Sequence, residues 1–161
     1  MAEARALERE RHSRRARRRR APLEDYPAKS LAGLAGELMV SAMRLRGTDA
    51  QAAARTAERA FGFYLAASQK ASSGRERADC LVGAGKALSL AASVCEGIDA
   101  RRAGRMHEDA GDHLFKGARG GTVPEAEVRE LARQQYELAL GMGGVPRIVE
   151  RKIAMCGRGH G

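Results

Sequence analysis

The densest group of chemically reactive side chains lies between His107 and His113, where seven consecutive residues read HEDAGDH. In a helix, the two histidines are six positions apart and point to different sides, so they cannot bind one metal ion together. The segment also lacks the H-E-x-x-H spacing of zinc proteases. Asp109 and His113 lie four positions apart and share a face. We therefore expect a solvated acidic face with local pairing rather than a metal or acid–base centre.

A second candidate is the glycine-rich sequence Gly83-Ala84-Gly85-Lys86. A phosphate-binding P-loop requires a glycine five positions before its Gly-Lys pair and a serine or threonine after the lysine. This chain has Cys80 and Ala87 at those positions. The segment also falls within a predicted helix, whose backbone N–H groups are already hydrogen-bonded. The sequence therefore predicts no nucleotide-binding loop.

The three cysteines, Cys80, Cys95 and Cys156, form no C-x-x-C pair. Cys80 and Cys95 fall on one predicted helix, about 22 Å apart at 1.5 Å per residue, so they cannot form a disulfide with each other. An odd number of thiols on apolar helix faces is typical of core residues in a reducing compartment. No G-x-S-x-G motif is present. We expect no enzyme, no catalytic, cofactor-binding or metal-binding residue, and an intracellular, cytoplasmic protein.

The strongest functional signal is an arginine-rich N-terminal arm. The formal net charge is +9, of which residues 1–20 contribute +6 through nine arginines and three glutamates. Guanidinium groups bind phosphate bidentately, and a flexible series of them gains affinity by releasing counterions. RNA, DNA, anionic lipid and a nuclear-import receptor all remain open as partners of this arm. The anion-binding candidates are Arg11, Arg14, Arg15, Arg17, Arg18, Arg19 and Arg20.

The elements that would carry these side chains are indicated by a repeated spacing. An alanine is followed four, seven and eight positions later by apolar or small residues, which places all four on one helix face. Alternate alanines are 49, 53 and 48 positions apart, as expected for stacked helical hairpins, although a compact bundle remains open. The five alanines are Ala35, Ala57, Ala84, Ala110 and Ala132.

Composition supports an all-α fold. Hydrophobic residues make up 43% of the chain but aromatic residues only 4%, and tryptophan is absent, which disfavours β-sheet. We divide the chain into a disordered arm (1–22), one helical domain (23–156) and a flexible tail (157–161). No apolar run reaches the length of a membrane span, and no secretory signal is evident.

Five to six antiparallel helices are expected, and capping residues set their ends. Thr48 or Asp49 should cap the second helix and Asp99 the fourth. Thr122 and Glu125 have the spacing of a capping box for the fifth. The predicted helices are 29–46, 49–69, 75–96, 99–116, about 122–141 and a short one from Pro146. The side chains expected to be buried are Leu34, Leu38, Phe61, Tyr64, Leu81, Leu88, Leu114, Leu131 and Tyr136.

Two of these helices resemble a known family. Residues 78–88 (ADCLVGAGKAL) and 108–118 (EDAGDHLFKGA) are similar to helices of the tetratricopeptide-like soluble NSF-attachment (SNAP) proteins, and 132–140 looks like the second helix of a tetratricopeptide unit. The resemblance covers about residues 50–140. It implies a short right-handed α-solenoid with a role in intracellular protein or vesicle transport.

The function expected from the whole sequence is a non-enzymatic helical adaptor that binds a protein partner. The alternative is a basic RNA- or DNA-associated structural protein, such as a ribonucleoprotein or nucleocapsid component, acting through the arm. On the helices, basic residues are candidate contacts for an acidic partner: Arg55, Arg59, Lys70, Arg101, Arg102 and Arg105.

Overall fold

The computed structural model describes residues 25–157, and within that range it contains helices and no β-strand. The predicted arm (1–22) and all but the first residue of the predicted tail lie outside the described residues. The all-α fold class is confirmed. The helices are α1 (Ala28–Leu45), α2 (Ala50–Lys70), α3 (Gly74–Cys95), α4 (Ala100–Gly117), α5 (Glu125–Gly141) and α6 (Pro146–Gly157).

Local sequence signals set most helix ends as predicted. The Asp49 carboxylate accepts a hydrogen bond from the backbone N–H of Ala52, 2.8 Å away. Asp99 does the same for Arg102 at 2.9 Å. Each bond satisfies a backbone donor that the first helical turn leaves free. The N-termini of α2 and α4 are therefore fixed by an aspartate.

The capping box predicted for α5 is wrong. Thr122 instead donates from its backbone N–H and its hydroxyl to the carboxylate of Asp79 on α3, at 2.6 and 2.9 Å. Glu125 pairs with Arg129 one turn later, at 2.6 Å, and Pro124 caps α5 without a side-chain hydrogen bond. A tertiary carboxylate has replaced the local partner, and it ties the α4–α5 loop to α3.

Each helix packs chiefly against the helices that precede and follow it in the chain, and α1 also makes a much smaller contact with α3. Opposite ends of neighbouring helices meet, as where Gly117 at the C-terminus of α4 lies against Ala78 and Val82 near the N-terminus of α3. Consecutive helices are therefore antiparallel. Alternate helices lie in two layers, α1, α3 and α5 in one, and α2, α4 and α6 in the other.

The first two hairpins are copies of one another at a spacing of 50 residues. The turns at 45–50 and 95–100 share their backbone hydrogen bonds, and the cap dihedrals agree closely, with Asp49 at φ −144°, ψ 90° and Asp99 at φ −149°, ψ 90°. Every residue buried in α2 has a buried counterpart 50 positions later, in α4 or at its C-cap. The chain thus contains an internal repeat of a helical hairpin at a spacing of 50 residues, which pairs Ala57 with His107 rather than with Ala110 as the predicted 53-residue spacing did. The turn at 142–145, which joins α5 to α6, has a different backbone conformation and contains Gly143 at φ 88°.

Small residues occupy the centres of the helix interfaces. The five alanines singled out in the sequence are all fully buried. Two glycines lie still closer to a neighbour, because a Cβ on Gly83 would meet the Tyr64 ring at 2.6 Å and one on Gly111 would meet the Tyr136 ring at 2.5 Å. These residues let the helices approach closely, and large side chains fill the margins.

That arrangement corrects the predicted core. Leu88, Leu114 and Tyr136 are buried as expected, but the other six predicted side chains are only half-buried: Leu34, Leu38, Phe61, Tyr64, Leu81 and Leu131. Because alanine and glycine take the interface centres, bulky side chains lie at the interface edges, where water still reaches them. The prediction identified the apolar faces of the helices correctly, but it overestimated how deeply their large side chains are buried.

Helix α1 is the first helix of the described residues, and its outer side is exposed. On α3, Cys80 and Gly83 lie on the side that contacts α2. The corresponding positions of α1, 50 residues earlier, are Ser30 and Gly33, and both are exposed. Val40, seven positions after Gly33 and on the same side of α1, is exposed as well.

By length and composition alone, one helix among the described residues, α3, could cross a membrane. However, 61% of its apolar window is buried. It lies between α2 and α4, which is typical of the central helix of a packed helical domain.

Candidate functional site on helices α2 and α4

The structure brings most of the predicted partner-binding residues to one end of the second layer. Because α2 and α4 are both antiparallel to α3, they run parallel, and their N-terminal halves lie side by side. Arg55 and Arg59 on α2 and Arg101 and Arg105 on α4 are exposed, and none of them forms an ion pair with any residue in 25–157. We call these four residues the arginine face.

The remaining two predicted residues have structural partners. Arg102 forms an ion pair with Glu58 of α2, which joins the two parallel helices. Lys70 lies at the opposite end of α2, where its Nζ donates to the backbone carbonyl of Tyr26 at 3.0 Å. Lys70 therefore does not belong to the arginine face. The seven arginines of the predicted arm lie outside the described residues.

Arginine is unfavourable where α4 begins. The N-terminus of a helix carries a partial positive charge, which favours acidic side chains in the first turn. The first turns of α2 and α4 contain no acidic residue. The first turn of α4 contains two arginines, Arg101 and Arg102. Arg101 therefore adds a like charge to the N-terminus of α4, where the Asp99 carboxylate is the acidic group that caps the helix.

Carboxylates at equivalent repeat positions tie the second layer together. Glu58 and Glu108 are 50 residues apart, and each binds a cation from the next helix in the layer, Arg102 for Glu58 and Lys152 of α6 for Glu108. Lys152 Nζ is 2.8 Å from both Glu108 and Asp112. Sequence reasoning missed these pairs, because their partners are 44 residues apart.

Tyr136 extends this network. Its hydroxyl donates to Asp112 at 2.8 Å. Burial and the neighbouring Asp112 raise the pKa of Tyr136, so the phenol is protonated at neutral pH. Burial alone would lower the pKa of Lys152, but its hydrogen bonds to Asp112 and Glu108 raise it. These groups are engaged with one another, and they hold α4, α5 and α6 together.

The two histidines of the HEDAGDH segment face different helices, as their spacing predicted. His107 is fully buried, with Nδ1 2.8 Å from Gln135 Oε1 on α5 and Nε2 3.0 Å from Glu96 Oε1 at the end of α3. His113 points toward α2 and packs edge-on against Phe61, with 5.2 Å between ring centroids. Residues 25–157 contain no group of three or more His, Cys, Asp or Glu side chains that could hold a metal ion.

The other sequence motifs have packing roles. Gly83 and Gly85 lie in the middle of α3 against Tyr64 and Leu114, so the glycine-rich segment serves close helix contact. Cys80, Cys95 and Cys156 are free, buried thiols whose pKa values are raised by that burial.

Comparison of the chain with protein-family models, with curated protein sequences and with solved structures finds no match. The geometry of the described residues is therefore the basis for assigning a function. Its most distinctive surface feature is the arginine face.

The contact of His113 with α2 makes stability depend on pH. Desolvation, and then the nearby Lys116 charge, lowers the pKa of His113 below its ordinary 6.5, although Asp109 and Asp112 act in the opposite sense. The unfolded chain therefore takes up this proton first as pH falls, and the folded state loses stability below about pH 6.5. We expect His113→Phe, which keeps the ring contact, to lose less stability than the wild type between pH 7.5 and 5.5 in urea unfolding. Parallel pH profiles for the two proteins would contradict this prediction.

Proposed function

We propose that this chain is a non-enzymatic helical adaptor whose arginine face binds an acidic segment of a protein partner. The observation that carries the proposal is the placement of four exposed arginines, without ion-pair partners in 25–157, on two parallel helices. Glu58, the carboxylate between them, is engaged by Arg102. The surface thus offers an anionic partner several guanidinium groups that no described acidic residue neutralises.

The architecture supports an adaptor role. Stacked helical hairpins present extended surfaces on which peptides or helices dock. In this chain the second layer is held in register by the pairs Glu58–Arg102 and Glu108–Lys152. The resemblance of 78–88 and 108–118 to SNAP-family helices suggests that the partner acts in intracellular protein or vesicle transport.

Charge reversal on the arginine face tests this proposal. We expect the combined variant Arg55→Glu, Arg59→Glu, Arg101→Glu and Arg105→Glu to lose its partner in quantitative affinity purification from cells, with affinity lowered at least about tenfold. Deleting residues 1–22 should leave partner capture unchanged, because the helices supply the contact.

A matched control has the same change in charge elsewhere on the surface: Arg77→Glu, Lys86→Glu, Arg147→Glu and Arg151→Glu, all at exposed positions. The control should retain the partner. Equal loss in the two variants would show a non-specific charge effect, and loss of every partner on deletion of the arm would assign binding to the arm.

A second function is favoured by the charge of the arm, whose residues 1–20 carry +6. We infer as the alternative that the arm binds RNA or DNA through phosphate, with the helical domain as a structural body. No aromatic residue interrupts the arginines of the arm. Base stacking would therefore be absent and binding tolerant of sequence.

Replacing Arg17, Arg18, Arg19 and Arg20 with alanine tests the alternative. Affinity should fall by a similar factor for unrelated duplexes, and the salt dependence of log K should weaken by about 0.9 for each phosphate that the variant no longer binds. The purified full-length protein should also show nucleic-acid absorbance at 260 nm that a high-salt wash removes. A clean spectrum together with an unchanged salt slope would reject this function.

A further inference from the structure

A recess of about 280 Å³ lies beside the arginine face, between α4 and the turn that joins α5 to α6. Arg101 and Arg105, two members of the arginine face, line it on the α4 side. Three glycines, Gly104, Gly143 and Gly144, contribute backbone but no side chain to its walls. A cavity of about 150 Å³ is large enough for a benzene ring. The recess therefore has room for a side chain such as leucine or phenylalanine.

Met142 and Val145 form the apolar part of the recess. Gly104 lies directly against Met142, since a Cβ on Gly104 would come within 2.9 Å of the Met142 Cβ. Val145 immediately precedes α6 and is 58% exposed. An apolar group that enters the recess would remove part of this valine from water, which favours binding.

Exposed apolar surface continues from Val145 along α6. Ile148 is 51% exposed and Met155 is 43% exposed, and their spacing of seven residues places both on one side of the helix. Lys152 lies on that side between them, and its Nζ is 2.8 Å from Glu108 of α4. The exposed side chains therefore border the groove between α4 and α6. Scattered single hydrophobic residues are normal on a surface, but a contiguous apolar patch marks an interaction site.

The charged residues that line the recess are two arginines and one glutamate, Glu108. Arg101 and Arg105 are exposed and form no ion pair within residues 25–157. Glu108 is ionised, and the Lys152 ammonium group lies 2.8 Å from it. The lining is therefore positive as well as partly apolar, and a segment that carries both acidic and apolar side chains complements it.

We propose that this recess receives an apolar side chain of the acidic partner segment, so that the segment is recognised by an apolar residue flanked by acidic ones. The inference rests on the proposed function, because it takes the arginine face as the surface that binds the segment. The apolar side chain contacts Met142 and Val145, and the flanking carboxylates lie against Arg101 and Arg105. Charge steers acidic segments to the surface, and burial of the apolar side chain selects among them.

Two acetylated peptide amides that differ at one position provide the test. Each has four acidic residues on either side of a central residue, which is leucine in one peptide and serine in the other. In calorimetric titration of the full-length protein, the leucine peptide should bind at least about fivefold more tightly, because leucine transfers apolar surface from water into the recess. Any contribution from the arginines of the arm depends on charge and is the same for both peptides. Equal affinities of the two peptides would overturn the proposal.

The variant Val145→Ser locates the site. The Val145 carbonyl accepts hydrogen bonds from the backbone N–H groups of Ile148 and Val149, and serine is favoured at such a capping position, so α6 is kept while the apolar wall is lost. The preference for the leucine peptide should fall below about twofold, with the affinity for the serine peptide unchanged. Val40→Ser, at an exposed valine of α1, is the matched control and should keep the wild-type preference.

The variant Arg101→Gln with Arg105→Gln separates this inference from the proposed function. It should weaken both peptides by a similar factor and retain the preference for leucine. If it weakens both peptides but the wild type shows no preference for leucine, the recess proposal fails and the arginine face stands. If it changes the affinity of neither peptide, the proposed function fails. A preference for leucine that persists in Val145→Ser, or a dimer of the full-length protein that this substitution abolishes, would overturn the assignment of the recess to a partner segment.

Discussion

The close approach of neighbouring helices, made possible by alanine and glycine at their interfaces, is the constraint on which the rest of this structure depends. Fully buried alanines recur along α1 to α5, and the backbones at Gly83 and Gly111 lie directly against tyrosine rings. Dispersion contacts between close-packed backbones and rings compensate for the small apolar area that each alanine can bury. Several bulky side chains, among them Leu34, Phe61 and Leu131, consequently lie half-buried at the interface margins.

The two layers follow from this packing and give the surface its charge pattern. Antiparallel neighbours make α2 and α4 parallel, so the exposed arginines of their N-terminal halves lie at the same end of the layer although they are about 50 residues apart in sequence. Glu58 and Glu108 then bridge successive helices of the layer to Arg102 and Lys152. A repeated scaffold position therefore supplies a structural tie, and beside it the exposed Arg55 and Arg105 occupy equivalent positions of the two units.

Departures from the repeat are as informative as the repeat itself. Helix α1 has the exposed Ser30 and Gly33 where α3 has Cys80 and Gly83 against α2. The turn between α5 and α6 contains Gly143 at positive φ and no capping aspartate. Both departures lie in the first or the last helical hairpin of the described residues.

The sequence predicts what is determined locally. Asp49 and Asp99 cap their helices as expected, and helix ends fall within a few residues of the predicted ones, because capping and apolar periodicity act over a single turn. It does not predict contacts that require the tertiary arrangement. Thr122 binds Asp79 of α3 rather than its neighbour Glu125, and His107 joins Glu96 to Gln135, over separations that no local pattern encodes.

The most direct measurement of the central claim is the free energy of unfolding, by urea denaturation, of two alanine-to-leucine variants. Ala84 is fully buried at a helix interface in α3, whereas Ala126 is exposed on α5. If close approach holds the fold together, Ala84→Leu lowers the free energy of unfolding by about 1–3 kcal/mol or more, because the added atoms force the helices apart. Ala126→Leu should change it by no more than about 0.5 kcal/mol. Equal and small effects of the two substitutions would contradict a structure built on small-residue interfaces.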